Sequence, residues 1–178
     1  MAAAGPGGPT FTDLGGPMLY KRLSRLRTRL YRTSSALQTW WYRRVWGMTI
    51  GEDCRISRSA KLDRTNPRGI HIGNCTLVSF DAAILTHDFV GNRHLDTFIG
   101  SNCFIGARSI ILAGIRVGDH SVVGAGSVVI ADVPPNSIVA GNPAKIIRQG
   151  ITTGRWGIFA PEFLAVEAER LAREAKAG

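Results

Sequence analysis

The chain has 178 residues, a length that suits one domain with short appendages, and its 44% of apolar residues is ordinary for a protein that buries a core. No apolar run approaches the ~18 to 20 residues needed to cross a bilayer. The N-terminal MAAAGPGGPT also lacks the charged and apolar regions of a secretory signal, so a cytoplasmic protein is expected. Three cysteines, Cys54, Cys75 and Cys103, form an odd set without CxxC spacing, which argues for free thiols rather than a disulfide framework or a structural zinc site.

Residues 1–16 read as a disordered tail, and residues 17–47 as a basic amphipathic helical segment. Leu19, Leu23, Leu26, Leu30, Leu37 and Trp40 follow the spacing of one helical face, and most of the arginines lie off that stripe. Between Leu14 and Gly51 stand eight basic residues (Lys21, Arg22, Arg25, Arg27, Arg29, Arg32, Arg43, Arg44) and no acidic one. Without them the formal charge of +9 falls to +1, so this segment alone can meet a broad anionic partner. Nothing points to nucleic acid. Two roles compete for the segment: packing on the rest of the molecule, or lying on an anionic membrane surface with the aromatics of TWWYRRVW at headgroup level.

From residue 50 onward an aliphatic residue recurs at every sixth position: Ile50, Ile56, Leu62; Ile72, Val78, Ile84; Ile99, Ile105, Ile111, Val117, Val123, Val129. Glycine often follows it, and the fifth position is small (Cys54, Ala60, Thr76, Ala82, Cys103, Ser109, Ser121, Ser127). One hexad is a short strand plus a turn, with the aliphatic residue pointing inward and glycine expected to supply the turn conformation. Three hexads make a triangular coil, and stacked coils pair in parallel around an aliphatic column. The coils run 50–67, 72–89, 99–116 and 117–134, with a partial coil from Pro135 to about Arg148. Two interruptions, Arg68–His71 and Val90–Phe98, fall at the same corner in adjacent layers. Loops extruded from a rigid scaffold commonly carry binding and chemistry.

Residues 99–148, IGSNCFIGARSIILAGIRVGDHSVVGAGSVVIADVPPNSIVAGNPAKIIR, closely resemble the hexapeptide-repeat acyltransferases, in particular the galactoside, maltose and nodulation-factor O-acetyltransferase branch. The resemblance covers about residues 50–148 and rests on THD before the extruded loop, IGAGSVV, DVPPNSIVAGNPA and a terminal basic pair. It implies a mainly β protein, a left-handed parallel β-helix of about four and a half coils with an N-terminal amphipathic helix and a C-terminal helix. It also implies a homotrimer with sites between subunits, acetyl-CoA as co-substrate and no metal.

Transfer of acetyl to a hydroxyl requires a base, because the alcohol proton must leave as the C–O bond forms, and an unperturbed imidazole is largely neutral near pH 7. His87 matches the family's base. Asp88, in the small inward position of its hexad, must be paired, hydrogen-bonded or released by local opening of the coil, and is a candidate to orient the imidazole. Asp81 or Asp96 could take that role, and with His94 they are candidates to line the acceptor pocket. His71 is assigned to the first insertion and His120 to an exposed turn. By position, Ala107 and Ala125 carry over the small turns along which pantetheine lies, and Lys145 and Arg148 the basic pair that meets nucleotide phosphates. Ile130-Ala131 replaces a common Thr-Lys, and Phe104 a common tryptophan.

Residues 149–178 form a C-terminal extension with a short helix in PEFLAVEAERLAREAKA. The function expected is O-acetylation of a sugar or glycan precursor by direct transfer. The alternatives are N-acetylation of an amino sugar, a non-catalytic trimeric scaffold, or a zinc carbonic anhydrase-like protein, for which His87 and His94 lack a well-placed third ligand.

Overall fold

A computed structural model of the protein describes residues 36–161 and, beyond them, Leu164, Ala165, Ala168, Glu169 and Ala172. The chain divides into two units, 1–37 and 38–178. The expectations for the tail 1–16 and for residues 17–35 of the basic segment lie outside the described residues.

Three parallel sheets form the body. Face A stacks β1 (Thr49–Ile50), β4 (Ile70–Ile72), β9 (Thr97–Ile99) and β12 (Arg116–Val117). Face B stacks β2 (Arg55–Ile56), β5 (Leu77–Val78), β10 (Phe104–Ile105), β13 (Val122–Val123) and β15 (Ser137–Gly141), closed by the antiparallel β16 (Ala144–Gln149). Face C stacks β3 (Lys61–Leu62), β6 (Ala83–Ile84), β11 (Ile110–Ile111) and β14 (Val128–Val129). The strands are short because every sixth residue must return to the interior. Register puts like on like: Ile50 over Ile72, Val78 over Ile105 and Val123, Ile84 over Ile111 and Val129. These aliphatics are at most 5% exposed and form one continuous column.

The small fifth positions behave as the pattern predicts: Cys103, Ser109, Ser121 and Ser127 are fully buried. Their hydroxyls stay paired at home, as when Ser109 donates to the Gly106 carbonyl at 2.7 Å and Ser121 to that of Pro134 at 3.0 Å. Cys54 and Cys103 are buried free thiols, and burial pushes the Cys103 thiol up to about 11.

Glycine after the aliphatic residue has a different task from the one its turn propensity suggests. The left-handed residue of the hexad is the fourth: Asp53, Cys75, Asp81, Asn102, Arg108 and His120 all have φ between 54° and 57°. The glycine instead lets layers approach. A Cβ on Gly106 would stand 2.5 Å from the Ala125 nitrogen, and one on Gly100 would stand 2.6 Å from that of Asp119.

Helix α1 (36–44) precedes the first coil, and its buried side carries Thr39 and Tyr42. Trp40, which belongs to the predicted apolar stripe, is 53% exposed, so the described turn packs through a different face. At the other end, residues 151–157 descend the corner between faces A and B. Ile151 donates its N–H to Asn136, Thr153 its hydroxyl to the Asn102 carbonyl at 2.6 Å, and Trp156 its N–H to Cys75 at 2.6 Å and its indole N–H to the Asp53 carbonyl at 2.8 Å. Arg155 pairs with Asp53, and the Arg55 guanidinium lies 3.2 Å from the Trp156 ring centroid. This strap half-buries His120, whose Nδ1 meets the Thr153 carbonyl at 2.6 Å, so that residue is a turn but not an exposed one. The expected C-terminal helix begins at Pro161, and Leu164 donates its N–H to Ala160.

Candidate functional site

Both insertions leave the prism between faces C and A, as the count of residues requires, but their phase differs from the one assigned. His71 and Phe98 are strand residues of face A, in register with each other and with Arg116. The first insertion therefore lies between Leu62 and Ile70, with a 3-10 turn at Pro67–Gly69. The second is a hairpin of β7 (His87–Asp88) and β8 (Arg93–His94), pairing His87 with His94 and Asp88 with Arg93. Hexad counting fixes the size of an insertion. Cross-strand pairing fixes where it begins, and His87 stands in the hairpin rather than before it.

The hairpin is anchored at its base. Thr86, fully buried, donates its hydroxyl to the Asn66 carbonyl at 2.7 Å, and Asn66 returns an amide N–H to the Thr86 carbonyl at 3.2 Å. The Asp63 carboxylate accepts the N–H of Thr65 at 2.8 Å and of Thr86 at 3.0 Å. Burial opposes its ionisation, but these donors outweigh burial and hold its pKa below the usual carboxylate value. Asp63 belongs to no motif in the sequence. Its only signal is a carboxylate in the second hexad position just before an insertion.

His87 is half-buried. Its ring meets those of His94, 5.2 Å away, and Phe89, 5.9 Å away, both edge-on. Among the described residues none of the three carboxylates considered as its orienter reaches it. Asp88 is opened out of the coil and binds Arg93 at 2.6 Å and the Gly91 N–H at 2.9 Å, and the Arg93 hydrogen bond is the main cause of its lowered pKa. Asp96 pairs with His71 at 3.3 Å, where His71 stacks on Phe98. Asp81 sits on the turn between faces B and C, at the other end of its strand from His87, and pairs with Arg108 at 3.8 Å. No three of the described His, Cys, Asp and Glu side chains are grouped so as to hold a metal ion.

Ala107 and Ala125 stack on the corner between faces B and C, where the Gly126 N–H donates to the Ala107 carbonyl at 2.8 Å. Lys145 pairs with Ala140 and Arg148 with Ile138, and a bulge between Ile138 and Val139 intervenes. Residues three apart on a regular strand face opposite ways, so the bulge is what sets this basic pair on one face. Lys145 thus stands at the head of the column that holds Gly106, Gly124 and Ala140.

At the foot of the same corner lies a groove of about 470 Å³, lined among others by Tyr42, Arg58, Ser59, Lys61, Arg64 and Asp81. The first two coils meet there, where the Asp81 N–H donates to the Ser59 hydroxyl at 3.2 Å. Asp81 is a candidate from the sequence, whereas the basic residues carry no motif beyond their three-residue spacing in RSAKLDR.

Residues 97–131 match the family described as the hexapeptide repeat of succinyl-transferase. The chain is 32% identical over 119 residues to "Putative acetyltransferase YvoF" of Bacillus subtilis, an alignment covering 66% of this chain and 69% of that one. It is 42% identical over 66 residues to the galactoside O-acetyltransferase of Escherichia coli, covering 35% of this chain and only 32% of that enzyme. Among solved structures, a maltose O-acetyltransferase from Clostridium difficile 630 matches with a TM-score of 0.50 at 26% identity, over 61% of this chain and 72% of that one. The fold is thus the left-handed parallel β-helix. The chain belongs to the hexapeptide-repeat acetyltransferases.

Proposed function

We propose that the protein is a homotrimeric acetyl-CoA-dependent O-acetyltransferase acting on a sugar or glycan precursor. The observation that carries this reading is the separation of two half-sites. His87 projects in a hairpin from the corner between faces C and A, while the stack of Ala107, Ala125 and Lys145 occupies the corner between faces B and C. One chain holds them a full face apart, and a neighbouring copy's hairpin can complete the site. The apolar outer surface of face C supports the assembly: Ile110 and Leu112 are each 36% exposed and Ile130 is 52% exposed.

In the proposed step, His87 takes the proton of the acceptor hydroxyl as its oxygen bonds to the acetyl carbon. The C–S bond breaks, and the imidazolium returns the proton to the thiolate to give free coenzyme A. Pantetheine lies along the Ala107–Ala125 corner, and Lys145 and Arg148 meet the nucleotide phosphates. His94, opposite His87, lines the acceptor side. His87→Ala should lower kcat by ~10²- to 10⁴-fold without weakening coenzyme A binding. A variant with wild-type kcat would overturn the assignment.

The same reading extends to location at the inner membrane surface. The outward side of α1 exposes Trp40 by 53% and Trp41 by 50%, within a segment that has no acidic residue.

A further inference from the structure

Among the described residues, the groove at the foot of the corner between faces B and C is lined by three cations, Arg58, Lys61 and Arg64, and one carboxylate, Asp81. Arg58 sits on the turn, Lys61 faces outward from β3, and Arg64 lies at the next corner, so the three line the lower edge of face C. Among the described residues none of them has a carboxylate within ion-pair distance. Asp81, the acidic residue in the lining, is turned to Arg108 at 3.8 Å. The nearby Asp63 is filled by backbone N–H groups. The base of the groove is built rather than incidental: Tyr42 is 7% exposed and its hydroxyl accepts the Gln38 amide N–H at 3.1 Å.

Position ties the groove to the chemistry. It lies directly below Ala107 and Ala125 on one corner, with Phe80 and Asp81 as the intervening layer. Coenzyme A anchored by its phosphates at Lys145 would point its thioester toward this end. A volume of about 470 Å³ suits a saccharide with an attached phosphate group.

We propose that this groove is the acceptor subsite and that its acceptor is a sugar carrying a diphosphate, nucleotide-linked or lipid-linked, held by Arg58, Lys61 and Arg64. The proposal rests on the acetyltransferase reading and narrows it. Guanidinium groups are suited to phosphate because they donate two parallel N–H bonds, and a run of three cations matches a diphosphate better than a single carboxylate.

Calorimetric titration of the full chain with inorganic pyrophosphate, in saturating coenzyme A, tests it directly. Wild type should bind, and the double variant Arg58→Ala/Lys61→Ala should bind about tenfold or more weakly, with coenzyme A affinity and thermal midpoint unchanged. In acetyl-transfer assays, a UDP-linked and a polyprenyl-diphosphate-linked form of one sugar are compared with the free sugar. The diphosphate forms should show the lower KM, and the variant should lose that advantage; which form is favoured identifies the soluble or the lipid source. Equal pyrophosphate affinity in wild type and variant would overturn the proposal, as would a free sugar or a phosphate-free acidic glycan serving equally well. Failure of wild type to bind coenzyme A would sink the acetyltransferase reading instead, and the pyrophosphate comparison would still stand.

Discussion

Asp63 illustrates how one side chain fixes a loop that carries chemistry. Its carboxylate gathers backbone donors from Thr65 and Thr86, so the hairpin base cannot shift without uncovering two N–H groups. Because its folded pKa lies below the unfolded value, the unfolded chain binds the proton more readily, and stability rises with pH. The contribution is fully present above the unfolded pKa of ~3.9 and is lost as pH falls through the folded pKa. Asp63→Asn should therefore cost about 1 to 2 kcal/mol at pH 7. The gap between wild type and variant should narrow in denaturant titrations taken toward pH 3. A gap that stays constant would show that the carboxylate's charge does not hold the hairpin.

Among the elements, the strap 151–157 and helix α1 seal the coil in different ways. The strap runs against the stack and bonds to the left-handed turns of successive coils, at Asn136, Asn102, Cys75 and Asp53, so it adds a tie between layers beside their parallel ladders and buried column. Trp156→Ala removes the indole bond to Asp53 and the contact with Arg55, and should destabilise the protein by about 1 to 3 kcal/mol. Differential scanning calorimetry should register this as a lowered Tm, and an unchanged Tm would make the strap decorative. For α1, the exposed indoles beside a basic, acid-free segment should partition to anionic vesicles and leave them in high salt. Trp40→Ala/Trp41→Ala should reduce the bound fraction in vesicle sedimentation; equal sedimentation of wild type and variant would remove the helix face from that role.

At the scale of the molecule, the stacked coils from Thr49 to Gln149 form a column with an apolar side, and the proposed activity needs a second copy. Light scattering should give the mass of three chains. Ile110→Arg/Leu112→Arg, placed on the outer surface of face C, should release monomers whose circular dichroism is preserved, because the inward column is untouched, and acetyl transfer should be lost. Monomers that remain fully active would show that one chain contains the entire site.

The sequence by itself determined the coil. A period of six with an aliphatic residue inward admits one stacking, since each layer buries its column only against its neighbours, and the buried small positions at Cys103, Ser109 and Ser127 follow from the same crowding. It also determined that two insertions share a corner, because their lengths are remainders of the repeat. The tertiary structure alone decided where each insertion begins: strand pairing moved His71 into face A and His87 into the hairpin. It likewise decided the partners of the charges. Asp88 goes to Arg93, Asp96 to His71 and Asp81 to Arg108, since an ion pair depends on which side chains the turns aim at one another, a quantity with no period. The basic groove appeared only once coiling had set Arg58, Lys61 and Arg64 along one edge, beside Tyr42 and below the corner stack of Ala107 and Ala125.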